Sequence, residues 1–246
     1  MDISFQIIDI SSDDIPISDD NIWEKEFVLT IYGKTEENEN IVCNVHGFKP
    51  YFYVRIPNSW DENYTSNFIK NTIIQPKLDN IKSKKMNEEE KQKLLRKEKF
   101  IHSKNQPCNL TIEKSHNFYG INYDIEYNRI HKFKFVKLEF NTYSSMRKIC
   151  ATITSYYKER SNDISNNEIN LQPKLLKWFQ QDHNCDCVAN LYESKIHPML
   201  RFLHAKNIQT CGWIQIRNMP EYYLVSKEDH IFNVDIEIMN LPMKYI

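Results

Sequence analysis

Residues 41–56 read IVCNVHGFKPYFYVRI, which is two β-rich runs joined by a turn. Apolar and β-branched residues fill both runs, and the Gly and Pro between them are residues that end strands. Upstream, residues 26–32 place apolar side chains at 27, 29 and 31 and stop at Gly33, which predicts a preceding strand. A short apolar alternation around Phe5 precedes an acidic loop over residues 11–20. We therefore predict that the opening third is a small antiparallel sheet.

Beyond this sheet the pattern alternates between helical and extended segments. Residues 77–106 are rich in charge, and Asn87 followed by three glutamates predicts a capped, solvated helix. The other predicted elements are a helix near 60–73, strands at 109–113 and 133–140, helices from Ser144 and Pro198, and strands at 213–216 and 234–238. Their order is that of a ferredoxin-like module. We predict an α+β fold with a β-rich unit at 1–57 and a ferredoxin-like part at 58–246, interrupted by the charged insertion.

Composition bounds the class of protein. The 246 residues are 41% hydrophobic and 13% aromatic, which fits a packed globule and argues against a disordered chain. No run approaches the roughly 18 apolar residues of a membrane span, and the N-terminus lacks the pattern of a signal peptide. The six cysteines form no disulfide framework, and His183-x-Cys185-x-Cys187 lacks the second ligand pair of a structural zinc site. We expect an intracellular protein without a membrane partner.

Charge is distributed unevenly along the chain. Residues 1–40 hold eleven Asp or Glu against Lys25 and Lys34, whereas residues 129–160 hold eight Lys or Arg against two Glu. A local charge of +6 attracts phosphates, although a solvated basic face without a ligand explains it equally well. The strand at 133–140 predicts a core of Phe133, Phe135 and Leu138. The cations predicted to point outward are Lys132, Lys134 and Lys137 on this strand and Arg147 and Lys148 on the following helix.

Four segments, in this order and spacing, resemble the N-terminal domain of family B DNA polymerases, the replicative type of eukaryotes and large DNA viruses. The segments are residues 27–33, residues 45–54 (VHGFKPYFYV), residues 118–120 with 135–140, and residues 192–194 through 200–202 to 212–214. The second is the most specific. The bias toward Ile, Lys and Asn fits the AT-rich genome of a giant virus.

This resemblance implies a non-catalytic head of a polymerase that packs on the exonuclease domain and lies near the template strand. Pro50 and Tyr51 match the family stretch that lines a template-base pocket in archaeal members. The polymerase motifs are absent from these residues, so the catalytic domains are expected in the same chain or in a split partner. No cofactor is expected in this chain, whereas the full polymerase would use Mg²⁺. A viral member would act at a replication site in the host cytoplasm or nucleus.

Asp235-Ile236-Glu237 resembles the start of the family's proofreading exonuclease. Residues two apart on a strand share a face, so two carboxylates there can hold magnesium ions that activate water. Such a site needs further carboxylates from later in the chain, and no Asp or Glu follows Glu237. We therefore interpret Asp235 and Glu237 as solvent-facing acids of an amphipathic strand.

Three alternatives to a polymerase N-terminal domain remain open. The first is a free-standing module that binds single-stranded nucleic acid. The second is a magnesium exonuclease that uses Asp235 and Glu237. The third is a structural domain whose surface docks on a partner protein.

Overall fold

The computed structural model describes residues 3–18, 22–56, 60–68, 82, 84–115, 123–124, 129–130, 132–151, 191–216, 224–226 and 231–235. The strands are β1 (Ile3–Pro16), β2 (Lys25–Lys34), β3 (Asn40–His46), β4 (Tyr51–Ile56), β5 (Asn109–Ser115), β6 (Tyr123–Asp124), β7 (Arg129–Ile130), β8 (Phe133–Glu139), β9 (Leu191–Tyr192), β10 (Trp213–Ile216), β11 (Leu224–Ser226) and β12 (Ile231–Asp235). The helices are α1 (Glu62–Phe68), α2 (Glu88–Asn105), α3 (described over 143–151) and α4 (Pro198–Ala205). Within these ranges, no helix is both long and apolar enough to cross a bilayer.

The chain divides into two compact units. The first comprises residues 1–50, 141–143 and 196–246, and the second comprises residues 51–140 and 144–195. Each unit contains residues from both sides of the boundary predicted at residue 57. In the first unit the reason is that β10 and β12, late in the chain, pair with β1 and β3.

The first unit contains a six-stranded sheet in the order β10-β1-β2-β3-β12-β11. β1 pairs with β2 as far as Pro16 opposite Lys25, with an irregularity between Ile7 and Asp9. The acidic loop predicted for residues 11–20 is therefore wrong over residues 11–16. Backbone pairing with β2 holds these residues extended, and a strand tolerates exposed polar side chains on its solvent face.

β12 joins this sheet in parallel to β3, with Ile231 opposite Val42 and Asp235 opposite His46. The prediction of an antiparallel sheet is therefore incomplete, since it omits β10, β11 and the parallel β12. The core of the sheet consists of side chains that are 1% exposed or less: Phe5, Phe27, Leu29, Ile31, Cys43, Val45, Ile214 and Ile216.

The second unit contains a four-stranded sheet in the order β5-β8-β4-β9. β4, which the sequence analysis placed with the opening sheet, instead pairs with β8 from Tyr51 opposite Glu139 to Ile56 opposite Lys134. One face carries the aliphatic and aromatic core: Phe52, Val54, Ile56, Val136 and Leu138. The rings of Phe52 and Phe140 stack there with centroids 5.6 Å apart.

Local sequence signals locate most helices correctly. The Asn87 side chain accepts a hydrogen bond from the Glu89 backbone N–H at 3.3 Å and caps α2, as predicted. The helix predicted from Ser144 is present as α3, on which Met146 and Ile149 are buried. On α4, the buried residues are Pro198, Arg201, Phe202 and Leu203, whereas Leu200 is 50% exposed.

The α+β class is confirmed, but the ferredoxin-like arrangement is not. β5 and β8 belong to the four-stranded sheet, whereas β10 and β12 belong to the six-stranded one. Residues 236–238 of the last predicted strand lie outside the described residues.

Candidate nucleic-acid interface

The strand cations named as candidate ligands lie on opposite faces of the four-stranded sheet. Side chains alternate between faces along a strand, so Lys134 shares a face with Val136 and Leu138. Lys137, three positions later, lies on the other face, opposite Tyr53 of β4. Lys132 precedes β8 by one residue and is exposed. The structure therefore keeps Lys132 and Lys134 near one another and separates them from Lys137 by the thickness of the sheet.

Lys137 is engaged by neighbours on its own face. Its Nζ lies 2.7 Å from Glu139 Oε1 and 4.2 Å from the centre of the Tyr51 ring. Glu139 neutralises much of the charge that Lys137 would offer to a phosphate, and the cation–π contact orients the ammonium group against Tyr51. Lys137 is therefore a weaker candidate for phosphate contact than the sequence indicated.

Aromatic side chains and two cations share this face. Tyr51 and Tyr53 are half-buried, with ring centroids 5.6 Å apart, and the Arg55 guanidinium carbon lies 3.8 Å from the centre of the Phe133 ring. Tyr53 also packs on the buried cluster of Phe133, Phe135 and Tyr192. The sequence analysis missed Tyr53 and Arg55, although their spacing from Tyr51 on one strand would have placed all three on one face.

The other candidates have different environments. Pro50 is buried and belongs to the first unit, so its own ring offers little surface to a ligand. Arg147 and Lys148 are exposed on α3, as predicted, and are not part of the sheet.

Asp235 ends β12, where its backbone is paired with that of His46. The Nδ1 of His46 lies 2.8 Å from Glu26 Oε1, and Glu237 lies outside the described residues. Among the side chains that the structure describes, no three His, Cys, Asp or Glu residues converge as a metal site would require.

The fold is that of a polymerase domain. The solved structure of the family B DNA polymerase from the hyperthermophilic archaeon Pyrobaculum calidifontis matches 99% of this chain with a TM-score of 0.53 and 12% sequence identity. The matched region is 21% of that polymerase. No protein-family model matches the sequence.

Comparison of the sequence with those of known proteins finds relatives among viral DNA polymerases. The DNA polymerase of Acanthamoeba polyphaga mimivirus is 25% identical over 217 residues, and that of Pyramimonas orientalis virus is 24% identical over 212 residues. Each alignment covers 86% of this chain, but the chain spans only 10% and 13% of those relatives. Together with the fold, these similarities support the resemblance to family B DNA polymerases that the sequence indicated, and the DNA polymerases of giant viruses are among the relatives that this chain matches.

Proposed function

We propose that this chain serves DNA replication as the non-catalytic N-terminal part of a family B DNA-directed DNA polymerase. It contacts the template strand and packs on the exonuclease domain of the same or a split polymerase, whose active sites would hold Mg²⁺. In a virus, this would take place at the replication site inside the host cell. The observation that carries the proposal is similarity to viral DNA polymerases across 86% of the chain, although the chain spans about a tenth of the first relative.

Contact with the template is supported by the composition of the second unit. Its sheet presents half-buried tyrosines beside Arg55 and Lys137 on one face, and Lys132 and Lys134 at the end of the other. Aromatic rings beside cations form the usual surface for unpaired nucleic acid, because bases stack on rings while cations hold the backbone.

Fluorescence anisotropy tests the contact directly. A labelled primer–template with a single-stranded template overhang is titrated with the chain at low salt, alongside a blunt duplex of equal length. We expect tighter binding to the overhang and weaker binding as salt increases, because phosphate contacts release counterions. If the chain binds neither substrate at low salt, the DNA contact is excluded.

A free-standing nucleic-acid-binding module is the second candidate function. The aromatic and cationic face formed by Tyr51, Tyr53 and Arg55 favours it, because four-stranded sheets with such faces bind single-stranded RNA. Tight, sequence-selective binding of RNA by the chain alone would support this alternative over the polymerase role.

A further inference from the structure

Three lysines lie together at one end of the core face of the four-stranded sheet. Lys114 on β5 lies directly opposite Lys134 on β8, and opposite residues of paired strands point to the same side. Lys132 stands two positions before Lys134 and follows the same alternation. Lys114 and Lys132 are exposed, and Lys134 is half-buried. We call this set the lysine row.

The lysine row concentrates positive charge at one place on the sheet. Like charges directly opposite one another across an antiparallel pair destabilise the sheet. The central lysine is nevertheless held in place, because Lys134 Nζ donates a hydrogen bond to the backbone carbonyl oxygen of Trp60. An anion bound between the ammonium groups would relieve the repulsion.

An exposed aromatic ring lies beside the row. Trp60, whose carbonyl binds Lys134, also contacts Tyr64 on α1, with ring centroids 5.0 Å apart. The Tyr64 residue is 40% exposed, whereas Trp60 is 3% exposed. Trp60 therefore supports the Tyr64 ring from inside, and part of Tyr64 faces solvent.

We propose that the lysine row and Tyr64 form a binding site for single-stranded DNA. Lys114, Lys132 and Lys134 contact successive phosphates, and a base stacks on Tyr64. This inference rests on the proposed function, to which it adds the residues that meet the unpaired strand. Asp61 and Glu62 lie close to Tyr64 in the sequence. Asp61 caps α1 by accepting a hydrogen bond from the Tyr64 N–H at 2.7 Å. These acids reduce the local charge, so we expect modest, salt-sensitive affinity.

The experiment measures binding of fluorescein-labelled oligo-dT of about 20 nucleotides to the whole chain by anisotropy, from low to moderate salt. The test variant is Lys114→Gln/Lys132→Gln, because both side chains are exposed and their loss leaves the core intact. It should reduce the slope of log affinity against log salt by about 1.4, or roughly 0.7 per phosphate on a single strand. Tyr64→Leu should weaken binding about fivefold or more through lost stacking.

The matched control is Lys93→Gln/Lys97→Gln, which removes the same charge from the exposed side of α2. It should change neither the slope nor the affinity appreciably. Circular dichroism melting curves check that every variant is folded.

The outcomes separate this inference from the proposed function. If both double variants weaken binding equally, the effect is general charge and the site is wrong. The lysine row is also wrong if the wild-type chain binds the primer–template but not oligo-dT. It is equally wrong if the test variants bind oligo-dT as tightly as the wild-type chain does. In both cases the proposed template contact survives. If the wild-type chain binds no DNA, both fail.

Discussion

Lys137 and Glu139 lie two residues apart on β8 and form an ion pair with an Nζ–Oε1 distance of 2.7 Å. Because strand side chains alternate, the two must share a face, and the Tyr51 ring on β4 closes the group from the side. The side chains of Lys137 and Glu139 are only 22% and 18% exposed. The pair is therefore better shielded than an ordinary surface salt bridge.

The Lys137→Met variant tests the contribution of this group to stability. It keeps the apolar stem and removes the ion pair and the cation–π contact, so we expect the free energy of unfolding to fall by about 1 kcal/mol. Urea denaturation measures the change, and a double-mutant cycle with Glu139→Gln isolates the pair. A coupling energy of zero in that cycle would contradict the prediction.

Gly33→Ala should destabilise the six-stranded sheet. A β-carbon on Gly33 would lie 2.6 Å from the Gln6 carbonyl oxygen and would overlap the buried Phe5 ring. Overpacking of this kind costs about 1–3 kcal/mol, which thermal melting would show as a lowered midpoint. Gly212→Ala is the control, because its nearest contact would be 3.1 Å from the Gln209 Cβ, and its melting point should change less. Equal losses in both variants would refute this explanation.

The Asn44 side chain connects three strands. Its Oδ1 accepts a hydrogen bond from Thr30 Oγ1 at 2.9 Å, and its Nδ2 donates to Asn233 Oδ1 at 3.1 Å. Asn44→Ala should therefore cost about 1–3 kcal/mol, because it removes both bonds and leaves two part-buried polar groups unsatisfied. Thr30→Val removes only the first bond and should cost less in the same urea denaturation experiment. A larger loss in Thr30→Val than in Asn44→Ala would be inconsistent with this arrangement.

Cys43 should make stability depend on alkaline pH. Burial raises the pKa of its thiol from an ordinary value of 9.0 to about 12. Between these values the unfolded chain loses the thiol proton while the folded chain keeps it. The free energy of unfolding is therefore unaffected by this thiol below about pH 9. It falls as pH rises toward 12, by up to about 1.4 kcal/mol per pH unit. Subtracting the profile of Cys43→Ala removes the contributions of other groups, and a flat difference would disprove the effect.

Asp235 should carry no nuclease activity in this chain. Its carboxylate would need several partners to hold catalytic metal ions, and the sequence pattern predicts that it is a solvent-facing acid of an amphipathic strand. Incubation with labelled single-stranded DNA and Mg²⁺ should release no nucleotides from either the wild-type chain or Asp235→Asn. Magnesium-dependent release that Asp235→Asn abolishes would instead establish an exonuclease.

Local signals predicted the elements well but not their partners. The strand over Glu26–Tyr32, the cap at Asn87 and the helix from Pro198 are each encoded within a few neighbouring residues. The pairing of β3 with β12 connects residues 189 positions apart, as Asn44 and Asn233 show. No local pattern specifies which of several apolar strands will meet across such a distance.

The same distinction applies to the candidate site: some of its features could be predicted from local sequence, and others depend on strand pairing. The separation of Lys134 from Lys137 could have been predicted, because positions an odd number apart on a strand face opposite sides. The role of Lys114 could not, since it depends on the register between β5 and β8. Tyr64 likewise belongs to the proposed site only because Lys134 bonds the Trp60 carbonyl and the Trp60 ring contacts Tyr64, and both contacts exist only in the folded chain.

The position of β12 between β3 and β11 has a consequence for biosynthesis. A ribosome releases residues 3–46 long before residues 231–235, so three early strands must wait for their last neighbour while the intervening chain emerges. The four-stranded sheet is complete once Tyr192 has been released, and it can assemble first. We therefore expect the four-stranded sheet, from the middle of the chain, to fold first. The earliest strands should be among the last to reach their final pairing.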